Sequence, residues 1–168
     1  MHCRGIGIAS AALLVMAANL DAATQYKLVD ANEIAAYWVP QRGHEQHPPA
    51  YPHKLIRDGV EACMELGFSI EPDGVPAQFK MLRSAFSAGA SQDAITALER
   101  AATDAVAAAR YEPASDNPDR TAIYTHAFFT FNLSAVDDPK KVTDAHRSLV
   151  KRSCEIVDFK KFVRDGAK

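Results

Sequence analysis

The chain reads as an α+β protein, a small sheet-and-helix domain, on three observations. From Ala62 to Ile70 apolar and other residues alternate, Pro72-Asp73-Gly74 follows as a turn, and an alanine-rich stretch from Gln92 is stopped by Arg110-Tyr111-Glu112-Pro113. Alternation at period two marks a strand with one covered face, and the long stretch carries the helical period instead. The elements follow in order. Tyr51-Pro52 opens the domain, and Leu55-Ile56-Arg57-Asp58 is a short helical turn that Gly59 ends through a left-handed cap. Ala62, Met64, Leu66, Phe68 and Ile70 share one side of the first strand, with Glu61, Glu65, Ser69 and Glu71 on the other. Gly74 tolerates positive φ, so a second strand over residues 75–83 folds back as an antiparallel hairpin. The helix spans residues 92–110, capped by Ser91 or Asp93. Its narrow stripe of Ile95, Leu98, Ala102, Ala105, Val106 and Ala109 lets it lie close to the sheet. The last strand covers residues 121–133, with Phe129, Phe131 and Leu133 alternating at its end.

Residues 1–23 read as an export signal. Arg4 is the only charge ahead of an apolar run over residues 5–18, and cleavage is placed near Ala22 or Ala23. The alternative is an uncleaved anchor, but a spanning helix needs about 20 apolar residues, and Asn19 and Asp21 close this run early. Residues 24–50 read as a linker with a short helix over residues 33–37, capped by Asp30 or Asn32 and stopped by Pro40. Trp38 is expected to fill a groove on its own domain, the alternative being a partner-binding anchor. Residues 134–168 read as a helical extension that starts at Asp138-Pro139. Val142, Ala145, Leu149, Val150 and Ile156 form its apolar stripe, which runs on to Phe159 and Phe162. Lys140, Lys141, Arg147, Lys151 and Arg152 on the other face are read as solvated surface rather than a membrane-docking face.

Composition and motifs exclude several function classes. A formal net charge of -2 offers no broad basic field for nucleic acid. Removal of the signal takes Cys3 with it and leaves Cys63 and Cys154, an even count that favours a disulfide in an oxidising compartment. Cys63 lies opposite Met64 and Leu66, and the matching side of the last strand carries Tyr124, His126 and Phe128, too apolar for a solvated face. The helix carrying Cys154 is the expected lid; two unpaired thiols are the alternative. A thiol-redox enzyme is disfavoured for want of a Cys-x-x-Cys pair. Glu61, Glu65 and Glu71 read as a surface pattern, and Ser84, Ser87 and Ser91 lack a Gly-x-Ser-x-Gly context. No phosphate-binding glycine loop occurs. His44, Glu45, His47 and His53 are split by Pro48-Pro49 and do not make a metal set, and His126 reads as a satisfied, half-buried residue. The chain is read as not an enzyme, with no cofactor or metal.

The order Tyr51-Pro52, helical turn, Gly59, alternating strand, Asp73-Gly74, second strand, alanine-rich helix, Arg110-Tyr111-Glu112-Pro113 and Phe129-Thr130-Phe131 resembles the C-terminal domain of the TonB family over residues 51–133. The resemblance implies a Gram-negative periplasmic module, a three-stranded antiparallel sheet packed on two helices. It also implies engagement of an outer-membrane receptor segment by strand addition at an exposed sheet edge. On this sequence the edge falls on residues 123–133, with Arg120, Ile123, Tyr124, Thr125, Ala127 and Phe129 as the partner-binding set. The family's long proline-rich spacer is represented only by His47-Pro48-Pro49, too short a tether to cross the periplasm. The expectation is an exported adaptor that binds an envelope or outer-membrane receptor protein, with no nucleic acid and no membrane contact, and with a homodimer left open. Two rivals stand beside it: a structural envelope component that has lost peptide binding, and a membrane-anchored transducer with a short spacer. Residues 134–168 pairing with or lying across the last strand would defeat the binding reading and favour the structural component. Proline at Thr125 or Ala127 would probe the edge, on the expectation that one N–H points outward and the next inward.

Overall fold

The computed structural model describes residues 26–132 and 153–166. The export signal, Leu133, the helix start at Asp138-Pro139, the stripe from Val142 to Val150 and the basic residues Lys140 to Arg152 lie outside the described residues. In chain order the elements are β1 (Lys27–Leu28), a 3-10 turn (Ala31–Ala36), β2 (Trp38–Pro40), a second 3-10 turn (His53–Leu55), β3 (Ala62–Ile70), β4 (Pro76–Phe86), α1 (Gln92–Ala107), β5 (Tyr111–Pro113), β6 (Ile123–Phe131) and α2 (Phe159–Gly166).

The hairpin forms where the alternation and the turn place it. Gly74 sits at φ +81° with its N–H donating to the Glu71 carbonyl at 2.8 Å, and its own carbonyl accepts from the Tyr111 N–H at 3.0 Å. A Cβ at this position would run into the Tyr111 carbonyl, so two separate constraints select glycine. β3 and β4 pair antiparallel, with register shifts at Glu65/Leu66 and at Gly67/Ser69. β6 pairs antiparallel on the other side of β3, from Ala62↔Phe131 to Ile70↔Ile123.

The sheet has four strands in the order β1-β6-β3-β4, not three, and the extra strand β1 runs parallel to β6. A second small sheet pairs β2 with β5 antiparallel. The expected pair of helices is also corrected. Among the described residues α1 alone is an α-helix on the core face, and the turn at Leu55 closes as three residues of 3-10 helix, with Gly59 at φ +63° after it. α1 starts where Ser91 Oγ accepts from the Ala94 N–H at 3.2 Å. It ends at Ala107, short of the expected Arg110, whose guanidinium donates to the Ala107 and Ala109 carbonyls at 2.8 and 2.6 Å.

Every residue of β3 is buried, because both faces of the central strand are covered. On one face Ala62, Met64, Leu66, Phe68 and Ile70 join Ala94, Leu98, Ala102 and Val106 of α1 with Ile123, Phe129 and Phe131 of β6. Val29 and Trp38 belong to the same core, so the stretch read as a linker contributes structure to the domain. Trp38 is fully buried and its Nε1 donates to the Thr121 carbonyl at 3.1 Å.

The other face carries Cys63, Glu65, Gly67 and Ser69 beside Tyr124, His126 and Phe128. The C-terminal segment lies across it. Cys154 is disulfide-bonded to Cys63, with Cα atoms 5.9 Å apart across a sequence separation of 91. Phe159 is fully buried, stacked on His126 at 4.4 Å between ring centroids and on Tyr124 at 6.0 Å. Arg83 of β4 donates to the Glu155 carbonyl at 3.3 Å and stands over the Phe162 ring at 5.1 Å. Reading Glu65 as a surface carboxylate is therefore corrected: the lid that hides Cys63 hides Glu65 as well. Among the described residues no helix is long and apolar enough to cross a membrane.

Candidate functional site: the outer edge of β6

A β-strand has two hydrogen-bonding edges, and successive residues turn their backbone groups to alternate sides. One edge of β6 is consumed by β3. On the other, the Lys27 N–H donates to the Ala122 carbonyl at 3.1 Å and the Val29 N–H to the Tyr124 carbonyl at 3.0 Å. Tyr124 therefore faces outward, and alternation carries the outward set on to His126, Phe128 and Thr130. Thr125 and Ala127, two apart, both turn their backbone toward β3, opposite Phe68 and Leu66. The expectation that proline at these two positions would separate an outward from an inward N–H is corrected accordingly.

The six residues read from the sequence fall along this strand and its approach. Arg120 is exposed at φ +51° and donates to the Pro72 carbonyl at 3.2 Å, tying the approach to the hairpin turn. Ile123 is buried, in register with Ile70 on one side and Lys27 on the other. Tyr124 is half-buried beneath Phe159, and burial pushes its phenol above the usual range. Thr125 is fully buried, with its Oγ1 making no hydrogen bond among the described residues. Ala127 is half-buried and Phe129 lies in the core. Ile123 and Phe129 are thus committed to the interior, and what β6 offers outward is backbone.

Sequence reasoning missed what lies against that edge. The Tyr26 hydroxyl donates to Glu71 Oε1 at 2.8 Å, and the same oxygen takes the Ser69 hydroxyl at 2.6 Å. That bond to a carboxylate, more than burial, raises the Tyr26 pKa. Val29 is buried in the core, and Lys27 Nζ stands over the Tyr37 ring at 4.5 Å. Asp30 caps the 3-10 turn, its N–H donating to the Glu33 carboxylate at 3.2 Å.

His126 joins three parts of the molecule. Its Nδ1 pairs with the Glu65 carboxylate, and its Nε2 accepts from the Ala31 N–H at 3.4 Å with Asp30 Oδ1 at 3.7 Å. Phe159 lies on its ring. Glu65 is 1% and His126 7% exposed. The signal for this pair was present in sequence as a lone histidine and one of three glutamates on the same strand side, but only the register brings them together. Among the described residues no group of three His, Cys, Asp or Glu side chains could hold a metal ion. The chemistry of the pair is cohesion between β3, β6, the segment at Ala31 and the C-terminal lid.

Residues 47–133 match the family model of the Gram-negative bacterial TonB protein C-terminal domain. The chain belongs to that family. Domains of the TonB C-terminal family are non-catalytic interaction modules of the envelope that work with outer-membrane receptors in transport. The solution NMR structure of the Pseudomonas aeruginosa TonB C-terminal domain is similar to this chain at 22% identity, covering 62% of this chain and 92% of that one, with a TM-score of 0.45. No curated protein matches the chain.

Proposed function

We propose that the protein is an exported, periplasmic protein-binding module that takes an extended segment of an envelope or outer-membrane receptor protein as an added strand along the outer edge of β6. Membership of the TonB C-terminal family supports the class of partner. The observation that carries the reading is β1, a short extended segment that already lies parallel on this edge through main-chain hydrogen bonds. Strand addition needs only unpaired N–H and C=O groups and room for alternate side chains, so buried residues such as Ile123 and Phe129 shape the site without touching the partner. Arg120, Tyr124 and the outward backbone beyond it are the contact positions on this reading.

A structural envelope component without peptide binding is the second reading. The specific observation in its favour is the C-terminal segment lying across the face of β6, through Phe159 on Tyr124 and His126, the condition expected to defeat strand binding. The adaptor reading is kept because this segment covers a face of β6, whereas strand addition uses the backbone edge. Titration with synthetic peptides from periplasm-facing receptor segments, followed by backbone NMR, separates the two. The adaptor reading expects shifts concentrated at Tyr124, His126, Phe128 and Thr130, and their loss in Thr130→Pro with the fold retained. Spectra that no such peptide perturbs leave the structural component as the function.

A further inference from the structure

We propose that residues 26–36 form an autoinhibitory strap, an intramolecular competitor that fills the strand site of β6 until a partner segment replaces it. The inference rests on the reading of the β6 edge as a strand-addition site. The strap makes two ladder positions, Lys27↔Ile123 and Leu28↔Tyr124, whereas β3 holds the opposite edge along the whole of Ala62–Ile70. Pairing so short exchanges without opening the rest of the sheet, because the ladder bonds it gives up are remade by the incoming strand.

The remaining holds on the strap are side-chain contacts, which include Ile34 packed against the core and Asp30 Oδ1 at 3.7 Å from His126. Tyr26 hydroxyl meets Glu71 at 2.8 Å, Val29 is its buried apolar anchor, and the Ala31 N–H reaches His126 at 3.4 Å. Glu33, exposed, pairs with Lys160 of α2 at 2.6 Å. That last contact runs to the segment that Cys154 pins onto the sheet, so the lid helps hold the strap shut.

The strap also describes the segment that would displace it. A competitor runs parallel to β6 and presents a hydrogen-bond-donating side chain to the Glu71 carboxylate. It carries a medium apolar side chain three positions later, where Val29 sits. An acidic side chain at the first of these positions is excluded by Glu71, which has no donor to give it.

The test uses the full chain and a synthetic peptide of residues 24–32 as probe. Lys27→Pro removes the N–H that bonds Ala122 from an exposed position, while Lys27→Ala keeps that N–H and removes only the ammonium over Tyr37. The strap model expects the peptide to bind Lys27→Pro at least about tenfold more tightly than wild type, since opening the strap raises the competent fraction. Lys27→Ala should bind as wild type does. Tyr26→Phe, which loses only the bond to Glu71, should fall between wild type and Lys27→Pro. Equal affinity in wild type and Lys27→Pro overturns the strap and leaves the edge site standing. Amides of Lys27 and Val29 that exchange only with global unfolding also overturn it. Absence of binding to Lys27→Pro, with its Val29 amide exchanging freely, overturns the edge site and the strap together.

Discussion

Glu65 and His126 meet on a sheet face from which Phe159 and the disulfide exclude water, and the register that joins β3 to β6 leaves neither side chain another way out. A buried carboxylate is tolerable only with its partner in place, so the cost of separating the two exceeds the worth of the pair. His126→Leu should lower unfolding stability by about 3 kcal/mol, because Glu65 is then buried without a partner. The double variant Glu65→Leu with His126→Leu should recover most of that loss. Urea denaturation of the single and double variants reads both values, and equal losses in the two would mean that the pair contributes nothing specific.

The strap and α2 touch at the element scale through Glu33 and Lys160. The hydrogen bond from Lys160 holds the Glu33 carboxyl below its usual range, and the same bond raises the Lys160 ammonium. The signs fix the pH window. A lowered carboxylate contributes above its unfolded value and loses that contribution as pH falls through the folded one. A raised ammonium contributes below its unfolded value and loses it as pH rises through the folded one. The link is therefore complete between the ordinary glutamate and lysine ranges and opens in acid or strong base. Both side chains are solvated, so the expected readout is titration rather than stability. In Lys160→Ala the Glu33 carboxyl should titrate upward toward an ordinary glutamate by NMR, and an unmoved titration would place the cause of its shift elsewhere.

At the scale of the whole molecule, the disulfide joins the central strand to the C-terminal segment over a separation of 91 residues. By chain entropy a loop of that order contributes about 4.6 kcal/mol. Cys63→Ser should lose roughly that amount while the circular dichroism of the folded state is kept. The β3–β4 hairpin and α1 were legible in the sequence because alternation, an Asp-Gly turn and a serine cap are local signals. Cys63 and the apolar trio Tyr124, His126 and Phe128 also told of a lid. Glu65 was misread because period two says which side a residue takes and not what will cover that side. β1 was illegible for a different reason: two residues carry no period, and their parallel partner lies at the far end of the domain. The opposite flank of the sheet bears on how any complex would end. β4 is interrupted by two register shifts, holds Gln78 at φ +49°, begins at Pro76, and spends Arg83 on the lid. A kinked, charged margin of this kind does not template a neighbour. On the proposed strand-addition reading, that blunted flank and the single seat on β6 would end assembly at one-to-one: each molecule would count one partner and would not be drawn into a growing fibre.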